Sequence, residues 1–504
     1  MSDAPVRPRL GLATKINYGL GSIAQGVAVQ ALATSTITLF LFQVVGMPVA
    51  VVSGLIMVSV IVDAFVDPLV GRWSDGFRSK WGRRHPFMYA SAVPAAACIY
   101  LLWHPPTGLP PAALPAFMLV LLIAVRLCIS LYDVPSTALA PELAPDYHER
   151  TGLLSFRFFF GLVGGVAMYV VLNAVFLRKD ATHTLGVLNR QGYENFGTMA
   201  AVVMLVSILV SSLATHRYIP YLRPAPDRKQ SFTAAAREIG TVLTNRSLLV
   251  VMLSGLISGV VGGMNATLGV FFNLHFWGLS PQLSVLILVI GGAPASLVGV
   301  SVAPLLSRLL DKKMTMITVF ALSIFTGVIP ISLRLIGLMP PNGSVWLLTI
   351  LIVDGFVSGT LGLIGYIIVS SMIADVVEDV AVKTGVRSEG LLFAANGLLP
   401  KFTSGIGTFV GGLMLAVVAF PVHAQQGTVD PEILRRLAFL SLPTATILSV
   451  ISVGVLFFYR IDKATHERNL QSLSDAAGLA EVRIEQSQAP PSAPFSGPVR
   501  PDVA

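Results

Sequence analysis

Charge is scarce in this sequence. Only 12% of the 504 residues are Asp, Glu, Lys or Arg, about half the roughly 25% of a soluble globular protein. Hydrophobic residues make up 54%. A chain so short of charge cannot clothe a water-facing surface, so most of it lies in lipid. Cysteine is scarcer still. Cys98 and Cys128 are the two present, and both fall inside apolar runs, so no disulfide framework is implied. There is no phosphate-cradling glycine loop, no cofactor or metal-ligand motif and no nucleophile triad. A membrane enzyme therefore lacks its chemistry, and a membrane sensor lacks a folded soluble output domain. The formal charge of +8 sits beside the apolar runs, where the positive-inside bias puts it, and implies no nucleic acid. The first ten residues are polar, with Pro5 and Pro8, and read as no cleavable signal peptide.

What is present is apolar length. Runs of about 20 apolar residues, each enough to cross a bilayer, recur near 18–43, 49–71, 87–104, 113–134, 152–177, 198–215, 248–274, 282–303, 314–337, 345–372, 391–420 and 436–459. They predict an all-α membrane protein of twelve transmembrane helices. The fourth run continues past Pro135 as a kinked helix toward Glu142. An even count puts both termini on one side, and the basic residues choose it. Arg72, Arg78, Lys80, Arg83 and Arg84 lie in the link after span two, and Arg308, Lys312 and Lys313 in the link after span eight. The links 43–48 and 104–115 carry none of Asp, Glu, Lys or Arg. Both termini and the central link are thus expected in the cytoplasm, with the protein in an inner or plasma membrane. The link 178–197 is the exception, with Arg178, Lys179 and Arg190, and its segment 189–195 reads as solvated loop.

The spans divide six and six. Residues 1–215 form an expected N-terminal six-helix bundle and 248–460 a C-terminal one. Residues 216–247 are a cytoplasmic loop stiffened by Pro220, Pro224 and Pro226, with a short surface helix at 231–237. The tail, 461–504, is rich in Ala, Ser and Pro and is expected to be largely disordered. Two bundles around a cavity is the layout of alternating-access transporters.

Within span two, Asp63 and Asp67 stand four residues apart and so share a helix face. Ionisable groups at membrane depth are costly and face a cavity or a partner. Two carboxylates one turn apart repel unless a proton or a metal cation sits between them. The plainer reading is a helix end, where acids and Pro68 meet water; it suits Asp67 better than Asp63, which follows the apolar 58–62.

The link after span two reads Gly71-Arg-Trp-Ser-Asp75-Gly-Phe-Arg78-Ser-Lys-Trp-Gly82-Arg83-Arg84-His-Pro86. Its glycines allow tight turns, and Asp75 can pair with an arginine or cap a neighbouring helix. This link resembles that of the major facilitator superfamily, in the form of the glycoside–pentoside–hexuronide:cation symporters, the melibiose-permease-like branch. The likeness extends over roughly 11–460. It includes Lys15-Ile-Asn17-Tyr18-Gly19-Leu-Gly21, the Asp63/Asp67-Pro68 element, Tyr132-Asp133-Val134-Pro135, Pro141-Glu142-Leu143, and Ser155-Phe156-Arg157. It continues through Ala374-Asp375-Val-Val-Glu378, Arg387-Ser-Glu389-Gly390 and Lys401.

The resemblance implies a major facilitator fold and roles for single residues. Asp63 and Asp67 resemble the acids of the cation site, with Ser130 able to add a hydroxyl. Asp133 resembles a sugar-binding acid, Arg157 its cationic neighbour and Lys401 the cavity lysine. Tyr132, Gln25 and Arg126 join them as substrate-site candidates. Asp75, Arg78, Gly82, Arg83, Arg84, Asp375, Arg387 and Glu389 resemble the gating loops. The plainer alternatives are a snorkelling helix-end arginine for Arg157 and a helix-locking salt bridge for Lys401. Arg126, seven before Asp133, is either its partner or a cavity wall. The sequence also departs from the family. Gly26 stands where sugar-transporting relatives carry an acid, which loosens the sugar site and leaves Gln25 and Gln30 as the polar groups nearby. Val66 replaces the amide of sodium-using relatives, which removes an oxygen ligand and favours H⁺ over Na⁺.

The expected activity is cation-coupled symport of a sugar, glycoside or related polar solute by a monomer in the bilayer. A lysolipid or other amphipathic solute is the alternative. Asp354 reads as an outer-vestibule acid rather than a substrate ligand. Asn265, Asn273 and Asn396 read as interhelical hydrogen-bond formers or cavity walls. His275 lies at an outer helix end, and Trp277 reads as an interface anchor. The glycines at 161, 164, 165, 405, 407, 411 and 412 read as close helix contacts.

Overall fold

The computed structural model describes residues 10–179, 186–222, 245–384 and 389–461, with 465, 468 and 471 singly. The surface helix expected at 231–237, most of the central loop and most of the tail lie outside the described residues. So does Arg387, and so do the side chains of Glu389 and Asn396.

All regular structure among the described residues is helical. Ten helices are long and apolar enough to cross a membrane, and an eleventh span is a pair bent by 47°. In chain order the bent pair is α1 (Leu12–Ala31 with Thr34–Val44). Then come α2 (Val49–Gly76), α3 (His85–Trp103), α4 (Leu114–Leu143), α5 (His148–Phe176) and α6 (Arg190–His216). The second half holds α7 (Arg246–Phe276), α8 (Pro281–Leu335), α9 (Val345–Val376), α10 (Leu398–Val417, continuous with a helix from Glu389) and α11 (Pro431–Leu456).

The count differs from the twelve runs of the sequence at one element. The two spans expected at 282–303 and 314–337 fall in one 55-residue helical stretch, α8, as two helices that meet at a kink. Its length, about 80 Å at the α-helical rise, is close to twice a bilayer. Asp311, with φ 63° and ψ 156°, interrupts the helix there. The link between the two apolar runs is so short that helical hydrogen bonding reaches the break from both sides.

Local chemistry sets the ends. Asp146, Asn189, Asn245, Ser280 and Asp430 each accept a hydrogen bond from a backbone N–H in the first turn of α5, α6, α7, α8 and α11, as N-cap residues do. The helix α4 holds Pro135 and Pro141 and runs on to Leu143. The segment 189–195 is not a loop: Asn189 starts α6, and Tyr193 is fully buried, stacked on Trp103 with ring centroids 5.7 Å apart. An aromatic side chain within reach of other buried rings gains more from packing than from solvation. Trp277, at the end of α7, likewise is buried against Phe276. Asp354 lies well inside α9.

In the first half α1 packs on α5 and α6, and α4 packs on α2 and α3. In the second, α7 packs on α10 and α11, and α8 on α9. The helices α2 and α10 join the halves. The end that carries the links 77–84 and 311–313 is called the basic end here, and the other the neutral end. At the neutral end Gln43 ties the halves together. Its Nε2 donates to Pro421 O at 3.0 Å, its Oε1 accepts from Ala424 N at 2.8 Å, and its carbonyl accepts from His423 Nδ1 at 2.6 Å. Gln282 adds a second tie, donating to the carbonyls of Asn173 and Leu177 at 3.0 and 3.2 Å.

Candidate functional site

The site grows from two facing stripes. On α2, Ser53, Ile56, Ser59, Asp63 and Asp67 recur every three or four residues and share one face. On α10, Lys401, Gly405, Thr408 and Gly412 do the same. Gly405 lies against Met57 and Val60, and a Cβ on Gly412 would collide with Ser53. Small residues let the two backbones approach, and that approach carries Lys401 to the acids.

Lys401 Nζ donates to Asp63 Oδ2 at 2.8 Å and to Asp67 Oδ2 at 2.6 Å. One ammonium from the second half thus bridges two carboxylates of the first. On α4, Ser130 Oγ donates to Asp67 Oδ1 at 2.5 Å and lies 3.5 Å from Asp63 Oδ1. Arg126, one turn earlier, approaches Asp63 Oδ2 at 3.7 Å and donates from Nε to Ser59 Oγ at 3.2 Å. Arg126 is therefore a partner of Asp63, not of Asp133. The two carboxylates balance Lys401 and Arg126, so the cluster is neutral. Asp63 is buried, while the Lys401 side chain is 38% exposed. They open on a cavity of about 160 Å³ that Gln25 and Asp133 also line.

Asp133 has its own cation. Arg157 on α5 pairs with it and donates from Nη1 to Ser136 Oγ at 2.7 Å. Tyr18 donates to the Ser136 carbonyl at 2.6 Å, and the guanidinium lies 5.8 Å from the Tyr18 ring centroid. Arg157 is 8% exposed and well inside α5, so it is no snorkelling helix-end residue. Buried opposite charges must pair, because removing one partner leaves an uncompensated charge.

Three expected positions differ. Tyr132 is fully buried and fills the space beside Gly21 and Ser211, away from the cavity. Gly26 faces α5 rather than the cavity. A Cβ there would collide with the backbone at Gly161 and Gly165, so no acid can stand at this position in this packing. Gln25, its neighbour, takes the cavity face, and its Oε1 is buried with no partner among the described residues. Gln30 is spent on Thr36, at 3.2 Å.

At the basic end Arg84 reaches Asp75 Oδ1 at 3.2 Å and Glu142 Oε1 at 3.0 Å, and Arg83 also pairs with Glu142. Gly82, at φ 73°, makes the turn in which Ser79 Oγ donates to the Gly82 carbonyl at 2.6 Å. Arg78 is exposed in the same loop. In the second half Lys312 Nζ holds both oxygens of Asp375, at 2.6 and 2.8 Å. Sequence reasoning missed Glu142 as the shared acceptor and Gln43 as a tie between halves. Glu142 left a trace, an acid at the end of an apolar run opposite paired arginines. A lone amide such as Gln43 left none. Asn265 is exposed, and His275 is buried near the Phe420 ring.

Residues 17–463 match the family described as MFS/sugar transport protein. An uncharacterized symporter of Synechocystis sp. is 26% identical, over 94% of this chain and 98% of its own. A lactose permease of Leuconostoc lactis is 23% identical, over 96% of this chain and 76% of its own. Among solved structures, a nucleoside transporter superimposes with a TM-score of 0.60 at 15% identity, covering 89% of this chain and 99% of that one. That likeness concerns the fold.

Proposed function

Because the chain belongs to the MFS/sugar transport protein family, a family of membrane transporters and not of enzymes, we propose that it is a cation-coupled symporter of a sugar, glycoside or related polar solute, working by alternating access. Lactose permease among its relatives and the quoted motifs favour the glycoside–pentoside–hexuronide:cation branch. In this reading there are twelve spans in two six-helix bundles, the break at Asp311 dividing α8 into two of them. The basic end lies in the cytoplasm.

The observation that carries the proposal is the bridge from Lys401 to Asp63 and Asp67. Lys401 sits where a coupling cation would sit. An arriving cation competes for the same carboxylate oxygens and brings the neutral cluster to +1. Lys401 then leaves the acids, the tie between α2 and α10 loosens, and its ammonium turns to the cavity. Pairs that break and remake in this way bias a two-state packing. Asp63, Asp67 and Ser130 offer few oxygens for a hard cation, whereas a proton needs no coordination shell, so H⁺ is favoured over Na⁺. Asp133 and Gln25 accept hydrogen bonds from solute hydroxyls, and Arg157 holds Asp133 in place. Of the two grounds for the amphipathic-solute reading, a looser site at Gly26 is not supported, since the backbone of α5 fills that space, while the Asp-Pro motif shared with a lipid-transporting branch still stands.

The test is uptake into proteoliposomes of radiolabelled lactose, xylose and glucuronate, driven by an inward proton or sodium gradient. Accumulation under a proton gradient is expected for at least one of them. Uptake indifferent to both gradients would overturn symport. Equal solute affinity in the unmodified and Asp133→Ala proteins would move the solute site elsewhere.

A further inference from the structure

A second chamber, of about 210 Å³, lies at the neutral end between α1, α5, α6, α7 and α8. None of the described side chains that line it is charged. Its polar walls include Ser35, Thr36, Tyr169, Asn173, Asn273 and Ser284, with Tyr193 beside them. Two features set it apart from a packing gap. First, Tyr193 stands in the chamber wall, and its hydroxyl is buried with no hydrogen-bond partner among the described residues. A buried hydroxyl without a partner costs about 1–3 kcal/mol, so this one is suited to an acceptor or donor brought from outside the chain. Second, four of the five helices that meet here carry a π-helical turn toward the neutral end: Leu39–Val44, Leu172–Phe176, Phe272–Phe276 and Ile287–Gly292. Such wide turns are rare and gather at functional sites. Leu39, Asn173 and Asn273 of these turns are themselves chamber walls.

The chemistry of the walls selects the occupant. Amide and hydroxyl groups offer donors and acceptors together, which matches the hydroxyls of a polyol. A charged solute would meet no counter-charge among the described side chains, and desolvating it would be costly. The volume is below the roughly 300–1,000 Å³ of pockets for drug-sized ligands, which suits one sugar ring rather than a disaccharide or a lipid. The charged central cavity lies about ten residues back along α1, from Ser35 to Gln25, or roughly 15 Å of helix.

We propose that this chamber is a second solute subsite, taking a single uncharged, hydroxyl-rich ring before it passes to the charged cavity. The inference rests on the transporter reading only for the direction of passage; the binding stands apart from it. Saturation-transfer NMR on the purified protein, with D-xylose, D-glucose and myo-inositol as probes, tests it. In the Asp133→Ala protein, whose central grip is removed, at least one probe should still bind. Adding Asn273→Leu should weaken that binding at least fivefold. Tyr193→Phe keeps the ring packed on Trp103 and Phe40 and removes only the unpartnered hydroxyl, so it should fold normally and weaken binding about threefold. No binding of any probe to Asp133→Ala, or affinities unchanged by both Asn273→Leu and Tyr193→Phe, would overturn the subsite. Binding lost with the chamber variants in a protein that shows no gradient-driven uptake would support the subsite while refuting symport.

Discussion

Replacing Asp63 with Asn removes one charge from the cluster at the junction of the halves and leaves its volume unchanged. As folded, Asp63 and Asp67 balance Lys401 and Arg126. One added cation brings the cluster to +1, and a second would bring it to +2 away from bulk water, so one cation per cycle is the expected stoichiometry. One pH unit corresponds to about 1.36 kcal/mol, the free energy of a tenfold concentration ratio. Vesicles one unit more alkaline inside, with the membrane potential clamped, should therefore accumulate a neutral solute about tenfold. Asp63→Asn starts at +1 with no carboxylate for the cation at that position, and its accumulation ratio should fall to about one. Asparagine still accepts a hydrogen bond from Lys401, and Asp133 and Arg157 are untouched, so solute exchange should survive. Replacing a charged acceptor by a neutral one costs about 1 kcal/mol after allowing for the exposure of Lys401, too little to unfold the chain. The assay compares gradient-driven uptake with equilibrium exchange in the same vesicles. Tenfold accumulation by Asp63→Asn would refute the coupling role, and a hundredfold plateau in the unmodified protein would refute the one-cation stoichiometry.

Other outcomes follow from the same geometry. Val66→Asn returns an oxygen beside the acids and should raise sodium stimulation of uptake, which ought to be weak in the unmodified protein; strong sodium stimulation of that protein at fixed pH would show that other groups complete the shell. Gly26→Asp should not create a better sugar grip, because its Cβ meets the α5 backbone. It should lower stability by about 1–3 kcal/mol, read as a fall in melting temperature, and an intact melting temperature with tighter lactose binding would show that position 26 faces the cavity. Gln43→Ala removes two side-chain hydrogen bonds to 421–424, worth about 2 kcal/mol together. It should raise labelling of a Leu274→Cys reporter by an impermeant thiol reagent roughly tenfold, in a background where Cys98 and Cys128 are serine. Unchanged labelling would mean that Gln43 does not hold the neutral end shut.

Much of this molecule could be read without coordinates. Apolar run length finds each membrane-crossing helix among the described residues, though not all of their ends, because a helix must satisfy its own backbone in lipid. The four-residue spacing of Asp63 and Asp67 puts them on one face of α2, since helical periodicity is local. The motifs around Asp75, Asp133 and Arg157 pointed to the family before any contact was visible. Other decisions belonged to the tertiary structure. Lys401 lies more than 330 residues from its acids in the chain, and only the packing of Gly405 and Gly412 on α2 chooses those acids over Asp133. Gly26 looked like a gap in the cavity until α5 filled it, and Tyr132 looked like a ligand until α1 and α6 enclosed it. Asn273 could be read along the chain as a cavity wall, but nothing there showed that Asn173 and Tyr193 join it around a chamber. Periodicity says which residues share a face, but what that face meets depends on helices from distant parts of the sequence, and their approach is set by packing that no local pattern encodes.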